Sequence, residues 1–172
     1  NNENPQQAYR PFDKNRTGFI IGEGAGVVVL ENIEQAKARG ATIQALISGV
    51  GNTCDGIDRI NPDPTGKQLA RAIVMALKEA DLKPEEIDYI SLDGLAVKIW
   101  DYSEAEALKM VFGEKLKEIP VSCPKSMFGN LLGASGAVDL IITILAMEHS
   151  LIPPTINLDS PDPEGLNYVR GR

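Results

Sequence analysis

The stretch Val138–His149 is apolar nearly all round a helix, with Leu140, Ile141, Ile142, Ile144, Leu145 and Met147 leaving no broad polar face. Such a helix needs cover on every side, in the middle of something. The run Val27-Val-Val-Leu30 makes the same demand of a strand, since it is β-branched, apolar and without alternation. A chain of 172 residues with four helices has little with which to cover both. The two stretches together predict part of a larger fold.

Turn residues and periodicity lay out the other elements. Residues 1–9 are polar and read as a frayed lead-in, leaving 10–172 as one partial domain. A helix is predicted over 31–39, stopped by Gly40, and a strand over 41–50. Leu69, Ile73, Ala76, Leu77 and Ala80 share one face of an amphipathic helix over 67–80. A strand over 88–92 delivers Asp93, and Asp101-Tyr-Ser-Glu104 is a capping-box pattern that predicts a helix starting with Asp101 at the cap. That helix stops at Gly113, and a strand over 119–123 leads to the apolar helix. Residues 166–169 start a further strand. Strand–helix alternation of this kind predicts an α/β fold with a largely buried sheet.

The acidic balance, net charge −7, argues against a nucleic-acid surface or an anionic membrane as partner. Two cysteines and a single histidine are too few for a disulfide framework or a His–Cys zinc site, so no metal and no cofactor are expected. No apolar run is read as reaching the ~18 residues of a membrane span, and the cytoplasm is the default compartment. Gly22-Glu-Gly-Ala-Gly26 is not a phosphate-binding loop, because a strand follows the glycines where a helix should open. Those glycines are expected to let other backbone approach closely, or to bend the strand. Cys54 reads as a loop thiol, and His149 as a helix C-terminal residue favourable to the dipole. Asp93 lies where a strand gives way to a loop, the place at which α/β proteins present ligand groups.

Several of these segments, in order, resemble a β-ketoacyl synthase, a condensing enzyme of thiolase-like fold. They are Gly22-Glu-Gly-Ala-Gly26 with Val27–Glu31, then Val121-Ser-Cys-Pro-Lys-Ser-Met-Phe-Gly-Asn-Leu-Leu-Gly-Ala-Ser-Gly-Ala137, then Pro153-Pro-Thr-Ile-Asn-Leu158. The resemblance implies the C-terminal half of a thiolase-like fold: an incomplete copy, with a mixed sheet flanked by helices. It also implies that the nucleophilic cysteine lies in an N-terminal half outside this chain, since neither Cys54 nor Cys123 falls at its position.

The resemblance places the family's active-site positions at Asp93, Lys125 and Asn130. Typical members have His-Gly-Thr where this chain has Asp93-Gly94-Leu95, and a second histidine where it has Asn130. An imidazole can donate to a developing oxyanion, an ionised carboxylate only accepts, and an amide exchanges no proton. Lys125 and Glu104 match family positions, with an ion pair or cap favoured for each. The pattern is similar to that of a chain length factor, the ketosynthase β subunit that lacks the catalytic histidines. This implies an inactive chain whose partners are an active ketosynthase subunit, or a second copy in a homodimer, and an acyl carrier protein. Two other readings stay open. One is an active acyl-thioester transferase or β-ketoacyl synthase using a cysteine of the N-terminal half; the other is a stand-alone binding module.

Overall fold

The computed structural model describes residues 3–163 and 165–171. Helix α1 (Ile33–Ala38) opens under Asn32, whose side-chain oxygen accepts from the Glu34 amide at 2.9 Å, and closes at Gly40 in the left-handed region. Helix α2 (Lys67–Glu79) follows Gly66, whose bare backbone lies against Ser103 and Ala107 of α3 (Lys98–Phe112). Strand β1 (Ile90–Ser91) precedes α3, and β2 (Pro120–Ser122) follows it. Helix α4 (Ser135–His149) and β3 (Asn167–Tyr168) complete the order.

The three strands form one parallel sheet, β1-β2-β3, with Ser91 opposite Ser122 and Val121 opposite Tyr168. The class is α/β, as the alternation predicts. The core gathers on one side of this sheet, where α3 contributes Ala105, Leu108 and Phe112, and β2 contributes Val121. Phe12 and Tyr168 close it with ring centroids 5.6 Å apart. Tyr9, assigned to a frayed lead-in from sequence, is buried, and a short 3-10 turn at Pro5–Gln7 precedes it.

Three features differ from the sequence expectations. Residues 19–30 and 41–50 lie outside the sheet; among the described residues the first segment makes one bridge, Ile21 to Asn130. Val27 and Val29, expected to be buried on both faces of a strand, are 87% and 88% exposed. Likewise α4 buries only Ser135 and leaves Leu145 and Met147 open. By length and composition alone, Leu132–His149 is apolar enough to cross a membrane, with mean hydropathy 1.3. The charge of Asp139 hides that length from a search for an unbroken apolar run.

The third difference is at α3, which starts at Lys98 under Val97, a turn before Asp101. Asp101 does not cap the helix. Its Oδ2 accepts from the Phe12 amide at 2.9 Å and pairs with Arg16 Nε at 3.0 Å, tying the 10–16 loop to the helix.

Of the glycines of 22–26, Gly22 admits other backbone as expected, while Gly24 and Gly26 lie mainly against side chains. A side chain on Gly22 would strike the Phe128 carbonyl, one on Gly24 would meet Leu131, and one on Gly26 would meet Ala137 and Ile141. Every second residue of this extended segment therefore lies flat against the 128–141 stretch.

Candidate functional site

Parallel pairing of β1 and β2 brings two loops to one end of the sheet, where α/β folds present their ligand groups. The first loop is Asp93–Val97. Gly94 has φ +53, and a Cβ there would meet Cys123 Sγ at 2.5 Å and Pro11 at 3.0 Å. Ala96, fully buried, also has positive φ (+58), a conformation that costs a non-glycine residue about 1 kcal/mol. The second loop is a 3-10 turn over Pro124–Met127 that buries Lys125 and Ser126.

Lys125 is the centre of the arrangement. Its ammonium donates to Asp93 Oδ1 at 2.8 Å and to the Asp93 carbonyl at 3.1 Å, and pairs with Asp139 Oδ2 at 2.6 Å. Its side chain is 1% exposed, whereas that of Asp93 is 61% exposed. Burial pulls the Lys125 pKa down, but the two carboxylates outweigh it and hold the group above the ordinary lysine value. Burial raises the Asp139 carboxyl against the pull of Lys125, and Asp139 Oδ1 is buried without a partner.

Glu104 supports the loop from below. Its two oxygens accept from the Asp93 amide at 2.8 Å and the Gly94 amide at 3.0 Å. Half-buried by area but hemmed in by protein, the carboxyl is pushed up to about 8 by burial and then by the charge of Asp93. It caps two backbone donors of the loop rather than the start of α3.

Asn130 is buried at the foot of α4. Its Oδ1 accepts from the Leu132 amide at 2.8 Å and from Ser135 Oγ at 3.1 Å, so the oxygen is committed to shaping the turn into the helix. Tyr9 links the two sides: its hydroxyl donates to the Gly94 carbonyl at 3.0 Å, and burial, then Cys123, raise its pKa while Asn130 opposes them. The Cys123 thiol points at the carbonyls of Asp93 and Gly94, and burial keeps it protonated well above the ordinary thiol value. Cys54 is exposed on the 51–56 loop, and His149 ends α4. Among the described residues no set of three His, Cys, Asp or Glu side chains has the arrangement of a metal site.

Asp93 and Lys125 thus meet directly, whereas Asn130 bonds neither of them and faces Leu132 and Ser135. Asp139 and Tyr9 were not found from sequence. Asp139 left a signal, as the lone charge in the first three turns of an otherwise apolar helix. A groove of about 340 Å³ opens beside Asp93, with Leu69, Leu95 and Trp100 on its apolar side and Asp55 and Glu104 on its polar side.

Residues 44–159 match the family described as Beta-ketoacyl synthase, C-terminal domain, and residues 1–36 match Beta-ketoacyl synthase, N-terminal domain. The chain belongs to the β-ketoacyl synthase family. It is 45% identical to 3-oxoacyl-[acyl-carrier-protein] synthase 2 of Synechocystis sp. over 172 residues, 99% of this chain and 41% of that protein. It is 43% identical to the synthase of the same name from Coxiella burnetii, over 98% of this chain and 41% of that protein.

Among solved structures, it is similar to a type II polyketide acyl-carrier protein complex with its ketosynthase bound to the hexaketide. The TM-score is 0.94 at 38% identity, covering 99% of this chain and 42% of that one. The ishigamide ketosynthase/chain length factor matches with a TM-score of 0.89 at 42% identity, covering 96% of this chain and 40% of that one. The fold is therefore the C-terminal part of a thiolase-like ketosynthase fold. The chain spans about two fifths of the length of the relatives it matches.

Proposed function

We propose that this β-ketoacyl synthase family chain is part of a non-catalytic subunit of chain-length-factor type. It would pair with an active ketosynthase on acyl-carrier-protein thioesters, in the cytoplasmic assembly of fatty acids or polyketides. The observation that carries this reading is the ion pair of Asp93 with Lys125. The position where the family resemblance places an oxyanion-binding imidazole holds an acceptor already engaged with a cation. Asn130, at the other histidine position, spends its oxygen on Leu132 and Ser135 and has no proton to exchange. Cys123, the thiol nearest this centre, is buried and hydrogen-bonded to carbonyls, which suits packing rather than nucleophilic attack.

The 340 Å³ groove between Leu95, Trp100 and Asp93 then serves as a wall of an acyl pocket. The two unpaired segments and α4 are the faces that the rest of the subunit, and its partner, would cover. A second reading, an active synthase of the same superfamily, draws support from the relatives named 3-oxoacyl-[acyl-carrier-protein] synthase 2. The deciding experiment gives the full-length protein acyl- and malonyl-carrier-protein substrates, alone and with a candidate partner ketosynthase. No condensation alone and longer products from the pair are expected. Condensation at ordinary synthase rates by the protein alone, with an acyl adduct on one of its own cysteines by mass spectrometry, would sink the proposal in favour of the second reading.

A further inference from the structure

We propose that the Asp93 carboxylate is a built-in ligand of Lys125. It occupies the place on the ammonium that a free carboxylate would take, and so keeps small carboxylate anions out of the site. An ammonium has three N–H donors. Here they reach Asp139 Oδ2, the Asp93 carbonyl and Asp93 Oδ1. The first partner belongs to α4 and the second to the backbone. The third is the one flexible group of the three, and it stands on the solvent side, 61% exposed on the wall of the groove.

Removing that side chain leaves a buried cation with one unpaired donor at the place that Asp93 holds on the groove wall. A buried donor without a partner is costly, and an ammonium most of all, so the vacancy draws in an acceptor that carries charge. The two nearest carboxylates are already committed, although Asp139 keeps one oxygen, Oδ1, without a partner. Both oxygens of Glu104 are held by the amides of Asp93 and Gly94, and Asp139 already bonds Lys125 from the far side. The vacated space is that of one carboxylate, which sets the ligand class. This inference deepens the reading of the site as closed to chemistry, but it rests on the Lys125 geometry alone. Its readout is anion binding, so it can fail while the non-catalytic reading stands, and the reverse.

The test titrates malonate into the full-length protein and its variants Asp93→Ala, Asp93→Asn and Asp93→Ala/Lys125→Met, followed by calorimetry. Asp93→Ala is expected to bind malonate at least about tenfold more tightly than the wild type, a factor equal to about 1.4 kcal/mol. The double variant should lose the gain. Asp93→Asn keeps an oxygen toward Lys125 without its charge and should fall between. Equal binding by the wild type and Asp93→Ala, or a gain that survives removal of Lys125, would overturn the proposal. If Asp93→Ala does not fold, the comparison passes to Asp93→Asn, where no gain over the wild type overturns it as well.

Discussion

Glu104 and Asp101 lie one turn apart on α3 and face the loops that converge on the site, and burial raises both. It pushes Glu104 up to about 8 and Asp101 up to about 6, in the second case against the Phe12 amide and Arg16. Both folded pKa values lie above those of the unfolded chain, so the folded state holds protons that the unfolded state releases. The stability these groups contribute is complete below about pH 4, and it is lost as pH rises through 6 and then 8. Each can tilt stability by at most about 1.4 kcal/mol per pH unit. The urea midpoint should therefore fall between pH 5 and pH 8. Glu104→Gln should flatten the upper half of that decline, and lower the midpoint at pH 5 because an amide offers one oxygen to the two N–H groups of Asp93 and Gly94. Equal slopes for variant and wild type above pH 6 would show that Glu104 is not the titrating group. Asp93 and Lys125 were each legible in the sequence as residues at strand ends. Their pairing was not, because 32 residues separate them and only the β1–β2 register brings them together.

Elements show where local pattern was enough and where it was not. Helix α2 was legible almost to the residue, since a clean apolar stripe and Gly66 at its entry define it without help. The start of α3 was misread because Asp101-Tyr-Ser-Glu104 fits a capping box, while tertiary partners claim both acids: Phe12 and Arg16 take Asp101, and the 93–94 loop takes Glu104. The 41–50 segment reads as a strand in sequence but lies outside the sheet, and local pattern gave no reason for Gly49 or for Gly51 just after it. These glycines lie flat on α2, where side chains would strike the carbonyls of Ala76 and Ala72. Gly51→Ala is expected to cost about 1–3 kcal/mol of stability by overpacking. Gly133→Ala, in a 3-10 turn with nothing near its would-be Cβ, should change little. Thermal or urea unfolding of the two variants side by side checks this, and equal stability would mean that α2 does not sit on the segment as described.

At the scale of the whole molecule, α4 decides how the chain must be completed. Its composition alone admits a bilayer, yet Asp139, in its second turn, holds the buried Lys125, which is bound in turn to Asp93 at the end of β1. That ion pair ties the first turns of α4 to the sheet, and the apolar surface of α4 is expected to take protein cover. Val27, Val29, Leu46 and Val50 make the same demand along segments that have no sheet partner among the described residues. Open apolar faces and unpaired backbone favour pairing with whatever chain is nearest. Expressed by itself, the 172-residue chain should therefore self-associate, with a light-scattering mass that rises with concentration. Val27→Lys/Val29→Lys, which places charge along the exposed edge, should shift it toward monomer without loss of the α/β circular dichroism signal. A concentration-independent monomer would mean that these faces are satisfied within the chain. In the full-length protein the same double substitution should instead destabilise, because there the valines are expected to be buried. One pair of mutations thus reports opposite effects in the two contexts, and that reversal is the signature of a surface meant to be interior.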